Sequence, residues 1–133
     1  MIGYDRLGCN GRLGNQMFQY AALRGIAAKR NFEWKIPPED YDHTANYGLF
    51  ETFEMSDVKE NNFGFINSEI VSENDHCFIE EFFTECPDNI SLDGFFQTEK
   101  YFNHIADQIR KEFTFKEQYL KPCKEYIDSL DKA

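Results

Sequence analysis

Gly11-Arg-Leu-Gly-Asn-Gln-Met-Phe-Gln-Tyr-Ala-Ala22 decides how this chain folds. Glycines at Gly11 and Gly14 punctuate its start, and from Met17 onward it becomes a helix-forming run that continues to about Arg30. Small residues at Ala21, Ala22, Gly25 and Ala28 fall at helical spacings, so the predicted helix is able to approach a sheet closely. Its basic end, Lys29-Arg30, suits the negative pole of the helix dipole. Upstream, Met1 to Tyr4 is a short apolar start; downstream, Phe32-Glu-Trp-Lys-Ile36 alternates like a strand and Pro37-Pro38 ends it. Strand, glycine loop, helix and strand together make the opening of a parallel α/β sheet.

Further along, Glu39 to Asn89 has fewer clear periods. Aromatic patches at Tyr47 to Phe53, Phe63 to Ile66 and Cys77 to Phe83, separated by acidic and polar residues, read as short strands and helices joined by loops. Ile90-Ser-Leu-Asp-Gly-Phe-Phe96 predicts another strand, and Thr98 is placed to cap a following helix. That helix carries an apolar stripe at Phe102, Ile105, Ala106, Ile109 and Phe113, with charge on its other faces. A last helical stretch is marked by Leu120, Cys123, Ile127 and Leu130, with Pro122 tolerable only in a first turn. There is no internal repeat or low-complexity linker.

The chain has 133 residues, 41% of them hydrophobic and 17% aromatic, enough for one core and too little for two ordinary domains. With 14 Lys plus Arg against 24 Asp plus Glu, the net charge of -10 disfavours nucleic acid and anionic lipid as partners of the bulk surface. A small anion is not excluded, because a local arginine and a helix N-terminus outweigh distant, screened charges. Cys9, Cys77, Cys86 and Cys123 form no CxxC pair, and no apolar signal segment precedes them, so reduced thiols and a cytoplasmic location are expected. No apolar run approaches the roughly 18 residues that a membrane span needs. The sequon Asn89-Ile90-Ser91 matters only in a secreted protein.

The chemistry lies in Gly11-Arg-Leu-Gly-Asn-Gln16. Glycines between a strand and a helix let backbone approach a ligand while the helix offers unpaired N–H groups, the geometry of an anion site. Arg12 is able to add a bidentate contact to a phosphate, and Asn15 either caps the helix or turns its amide toward the same ligand. A bare G-x-x-G at such a junction also describes an ordinary tight connection. For Gln16, Gln19 and Tyr20 packing or helix solvation is the simpler reading, and for Gln97, Glu99 and Lys100 a loop or capping role.

Two blocks of sequence carry a resemblance. Gly11 to Ala22 is similar to the G-G-L-G-N-Q-M-F-Q-Y-A signature that follows the first strand in the fucosyltransferases of glycosyltransferase family 11. Asp93-Gly-Phe-Phe-Gln-Thr-Glu-Lys-Tyr-Phe102, followed by Ile109-Arg-Lys-Glu-Phe113, resembles that family's G-[YF]-[FW]-Q-[ST]-E-K-Y-F segment and the I-R-K-E-F end of its helix. Tyr47 to Phe53 matches a Leu/Phe-rich family segment weakly. Arg12 stands where many bacterial members have a second glycine, as it does in the G-R-F-G-N of the related protein O-fucosyltransferases, and the acidic Glu39 to Asp42 stretch departs as a local insertion.

The resemblance implies an N-terminal, acceptor-side Rossmann-like domain over residues 1-133, one half of a GT-B glycosyltransferase. The C-terminal half, which holds GDP-fucose mainly through a His-x-Arg-Arg-x-Asp strand motif, is expected to be absent, since no such motif occurs in the chain. The implied reaction is inverting transfer of L-fucose from GDP-fucose to a galactoside hydroxyl, most often the 2-hydroxyl, with this half alone inactive. Arg12, Leu13, Gly14 and Asn15 are the implied donor-binding residues from this half; no catalytic base is singled out. No metal or other cofactor is expected, and the inner face of the membrane is an alternative location to the free cytoplasm. A non-catalytic carbohydrate- or nucleotide-binding module, or a degenerate remnant, is the alternative function. Asp40-Tyr-Asp42 matches the D-x-D of metal-dependent glycosyltransferases but reads more simply as solvated carboxylates, and His43, His76 and His104 have no zinc-site spacing. The aromatic clusters read as core before sugar-stacking surfaces. Exposed apolar surface left by a missing half implies self-association.

Overall fold

A computed structural model describes residues 1–9, 11–39, 47–73 and 77–131. Asp40, Asp42, His43 and His76 lie outside them. The described residues build a mixed α/β fold around a four-stranded parallel sheet, the Rossmann-like arrangement expected from the opening segment. Its strands are β1 (Ile2–Gly3), β2 (Trp34–Lys35), β3 (Glu69–Ser72) and β4 (Ile90–Asp93), in the spatial order β2-β1-β4-β3. β1 lies between its neighbours with Gly3 opposite Lys35 on one side and Ser91 on the other. β3 and β4 pair over four residues, from Glu69–Ile90 to Ser72–Asp93.

The β1-helix-β2 unit forms as the sequence predicts. Helix α1 (Leu13–Arg30) ends where Asn31 adopts a left-handed conformation and the N–H of Phe32 returns to the carbonyl of Ala27 at 2.8 Å. Ala21, Ala22 and Gly25 are buried, whereas Ala28 is exposed and takes no part in the close approach. At Gly25 the close approach of α1 is to the 99–105 segment and not to the sheet. A Cβ on Gly25 would sit 1.9 Å from the carbonyl oxygen of Tyr101, so the glycine is what lets the 99–105 segment lie against the helix.

That contact explains why the predicted helix after Thr98 is broken. Thr98 does cap, its hydroxyl accepting the N–H of Lys100, but the chain then makes a pair of 3-10 turns, Glu99–Tyr101 and Asn103–Ile105, before α5 (Ala106–Glu112) begins. Tyr101 is fully buried, with its hydroxyl donating to Glu73 and accepting the N–H of Ile79 at 2.9 Å, and this tertiary anchor overrides the helical period.

The middle of the chain contains three short helices, α2 (Leu49–Thr52), α3 (Ser56–Asn61) and α4 (Glu80–Thr84), the last packed against α1. Asp5, just past β1, accepts the N–H groups of Ile66 and Asn67 at 2.8 and 2.9 Å, and Ile66 lies over Gly3 where any side chain would collide with it. Tyr4, Tyr20, Phe50, Phe53, Phe96 and Tyr101 fill a single core, so these six aromatics are packing residues. The final helix, α6 (Glu117–Asp131), starts earlier than predicted, placing Pro122 in its second turn, where the carbonyl of Gln118 loses its helical donor. Among the described residues no helix is long and apolar enough to cross a membrane.

Candidate functional site

In a parallel sheet all strands deliver their following loops to one edge, which is where ligand crevices form. β1 and β4 are neighbours, so the loop before α1 and the loop after β4 meet there. These are the two segments that carry the family-like motifs.

At the mouth of α1 the helix is capped by backbone alone. Arg12 is extended, with φ -88 and ψ -172, and no side chain caps the helix end. Gln16 is the first residue whose N–H is taken within the helix, by the carbonyl of Arg12 at 3.0 Å. The N–H groups of Leu13, Gly14 and Asn15 therefore have no acceptor among the described residues. The mouth is open: Arg12 and Gly14 are exposed, and a Cβ built on Gly14 would meet nothing within 4 Å. Gly11 is different, because its Cβ would press on Asn15 at 2.6 Å. One glycine serves internal packing and the other leaves free space. Arg12 makes no ion pair or hydrogen bond among the described residues.

Asn15 is not the cap. It sits inside the first turn, where its side-chain carbonyl accepts a 2.7 Å hydrogen bond from Gln97. Its NH2 group then has donors left for a ligand. One turn later, Gln19 is fully buried and donates to the carbonyl of Gly94 at 2.9 Å, while its own carbonyl oxygen is the one buried side-chain polar atom found without a partner among the described residues. Gln16 is also fully buried, donating to the carbonyl of Gly11 and accepting the N–H of Gly48, both at 2.9 Å, so it fixes the start of the glycine loop. Packing is the role of both glutamines; helix solvation is excluded by their burial.

The β4 side of the junction is held in uncommon backbone conformations. Gly94 has φ +146, and Phe96, a bulky residue, has φ +51. Phe96 stays there because its ring is fully buried, edge-on to Tyr4, Phe82 and Tyr101, and its N–H is taken by Glu73 at 2.9 Å. The hydroxyl of Tyr4 accepts the N–H of Gly94 at 2.7 Å and hydrogen-bonds its carbonyl, and burial pushes that phenol above its ordinary range. The result is a rigid loop that brings Gln97 to Asn15. Arg6 closes the rim with a 3.3 Å ion pair to Asp93.

All four expected donor-binding residues thus lie together, with Gln97 beside them. Sequence reasoning left Gln97 as a loop residue and gave Tyr4, Glu73 and Gly94 no role in shaping the site. The signal for Gln97 was its place in the second motif; nothing in the pattern marks Tyr4 or Glu73. Glu99 and Lys100 are exposed, and no group of His, Cys, Asp and Glu able to hold a metal occurs among the described residues. Compared with known proteins, the chain matches no family model, no curated protein and no solved structure.

Deeper along α1 a second polar cluster is built differently. Glu112 accepts from Arg24 at 3.0 and 2.6 Å, from Gln108 at 2.7 Å and from the hydroxyl of Tyr20, while the Arg24 guanidinium stacks 4.6 Å from the centre of the Trp34 ring. Burial works against the charge on Glu112, but the hydrogen bonds from Arg24, Tyr20 and Gln108 outweigh it and hold the carboxyl below its usual range. Arg24, Tyr20 and Gln108 direct their donors at this carboxylate, so the cluster tethers α5 to α1.

Proposed function

We propose that the chain is the acceptor-side half of a GT-B fucosyltransferase resembling glycosyltransferase family 11, and that the mouth of α1 receives the diphosphate of GDP-fucose. The observation that carries this reading is the open helix end: three adjacent N–H donors without acceptors among the described residues, flanked by the exposed Arg12 guanidinium and by the amide of Asn15. A helix N-terminus adds its dipole to such donors, which suits a phosphate group.

The difficult step in fucosyl transfer is departure of GDP. As the anomeric bond stretches, negative charge grows on the β-phosphate, and donors fixed in advance stabilise that state more than the ground state. The N–H groups of Leu13 and Gly14, the guanidinium of Arg12 and the NH2 of Asn15 are the donors from this half. Gln97 positions Asn15 by holding its carbonyl oxygen, and Phe96 positions Gln97. The acceptor hydroxyl attacks the anomeric carbon from the face opposite the departing phosphate, its proton passing to a general base that this half's sequence does not single out, and the centre is inverted. Because the chain contains no His-x-Arg-Arg-x-Asp segment, the main phosphate-binding arginine of such enzymes is not supplied here, and the expected property of these 133 residues is nucleotide binding without transfer.

Calorimetric titration with GDP tests this. Binding in the millimolar range is expected, weakened about tenfold in Arg12→Ala for loss of one charge-assisted contact. GDP binding that is unchanged in both Arg12→Ala and Asn15→Ala would remove the helix mouth from the site.

A further inference from the structure

Glu73 lies outside both family-like motifs, immediately after β3, yet it grips the second of them along its length. Its backbone N–H donates to the carbonyl of Asp93 at 2.8 Å, where the motif leaves β4. One carboxylate oxygen accepts the N–H of Phe96 at 2.9 Å, and the other accepts the hydroxyl of Tyr101 at 3.2 Å. Between these points a Cβ on Gly94 would sit 2.7 Å from the Cβ of Glu73, so the loop runs directly over this residue. The parallel register of β3 and β4, which ends with Ser72 opposite Asp93, is what delivers Glu73 to the loop.

The contact with Phe96 matters most. Phe96 has φ +51, its N–H faces Glu73, and Phe95 and Gln97 are exposed on either side of its buried ring. A residue with a Cβ returns to negative φ unless something holds it, and a hydrogen bond to an ionised acceptor is of the same order as the cost of the left-handed state. The edge-on contacts with Tyr4, Phe82 and Tyr101 fix where the Phe96 ring sits, and the Glu73 carboxylate fixes which way its backbone faces. A reversal at Phe96 rotates the backbone immediately before Gln97, and Gln97 then loses its line to the carbonyl oxygen of Asn15.

We infer that Glu73 is a positioning residue for the helix mouth: through Phe96 and Gln97 it aims the Asn15 amide, and its acceptor oxygen, not its charge, sets how tightly the mouth holds a phosphate group. This rests on the sugar-nucleotide reading above. The sign of the effect separates positioning from electrostatics. A carboxylate at the same sheet edge as an anion site repels the anion, so on charge alone its removal tightens binding. Positioning gives the opposite result when the acceptor is lost, and no weakening when only the charge is lost.

Magnetic-resonance titration of the 15N-labelled chain with inorganic pyrophosphate tests this in the wild type, in Glu73→Met, which fills similar space without a carboxylate, and in Glu73→Gln, which keeps an acceptor oxygen. Circular dichroism verifies that each variant is folded. Glu73→Met should shift the side-chain NH2 signals of Asn15 and Gln97 in the ligand-free chain and raise the dissociation constant about tenfold, as for loss of one hydrogen bond. Glu73→Gln should keep those signals and bind pyrophosphate at least as tightly as the wild type. Unchanged or tighter binding by Glu73→Met overturns the inference, and so does a Glu73→Gln chain as weak as Glu73→Met. If Glu73→Met does not fold, hydrogen exchange in the wild type decides. Pyrophosphate must then slow the Phe96 amide more than the Tyr20 amide, because the ligand favours the clamped loop, and equal slowing overturns the coupling. A wild-type chain that binds no pyrophosphate contradicts the helix-mouth reading itself; in that case moved Asn15 and Gln97 signals in Glu73→Met uphold the positioning role and unmoved ones overturn it.

Discussion

The first turn of α1 and its middle are made from the same helix and differ in one physical respect. Around Tyr20, Arg24 and Gly25 the hydrogen-bonding groups converge on Glu112 and the backbone of Tyr101 touches the glycine. At Leu13 to Asn15 three amides have no acceptor among the described residues, Gly14 faces empty space, and Arg12 has no counter-ion among those residues either. A cluster whose guanidinium already has its carboxylate holds the fold together. An unsaturated one contributes little to the fold and is ready for a ligand. Perturbing the two should accordingly separate stability from binding.

The largest effect is expected at Gly25. Placing a methyl group 1.9 Å from a backbone oxygen forces α1 and the 99–105 segment apart, so Gly25→Ala should destabilise the chain by about 3 kcal/mol or more in urea unfolding. A smaller loss would mean that the segment yields easily and is not a fixed wall of the core. Next comes Glu112→Gln, which leaves Arg24 buried with a neutral partner and should cost about 2–4 kcal/mol. Its pH dependence carries a sign. Because the folded carboxyl is held below its ordinary value of 4.5, its contribution is complete above that value and disappears as pH falls through the lower folded value, so the wild type should lose stability in acid more steeply than Glu112→Gln. Parallel acid profiles for the two proteins would place the acid sensitivity elsewhere. The smallest stability effect belongs to Gly14→Ala. With nothing within 4 Å of the new methyl group, unfolding should change by about 0.5 kcal/mol, and toward stabilisation, because alanine restricts the unfolded chain more than glycine does. GDP binding should fall in the same protein if phosphate approaches that backbone. A stability-neutral Gly14→Ala with full GDP affinity would erase the contrast between the two ends of the helix.

Legibility in the sequence divides along the same line, between local signals and distant contacts. The β1-α1-β2 unit could be read because its signals are local: glycines, then small and apolar residues, then an alternating strand. The parallel pairing of β1 with β4 brings together residues far apart in the chain, Gly3 and Ser91, yet the two motifs marked both loops. The parts that could not be read were set by distant contacts. The helix expected after Thr98 breaks because Tyr101 is anchored to Glu73 and Ile79, and no periodicity within residues 98–113 contains that information. Asn15 as a helix cap was reasonable from residue type alone, but Gln97 claims its oxygen from across the sheet edge. Pro122 entered the second turn of α6 because that helix begins on the Thr52–Lys116 ladder, which only the fold supplies.

Amide chemical shifts of Leu13, Gly14 and Asn15, tracked in the 15N-labelled chain as GDP or inorganic pyrophosphate is added, report on the helix mouth itself. Saturable changes centred on those three amides with both ligands are the expected result, with Tyr20 and Arg24 unmoved. Silence at the three amides while GDP perturbs another face would place the nucleotide elsewhere and contradict the proposed site.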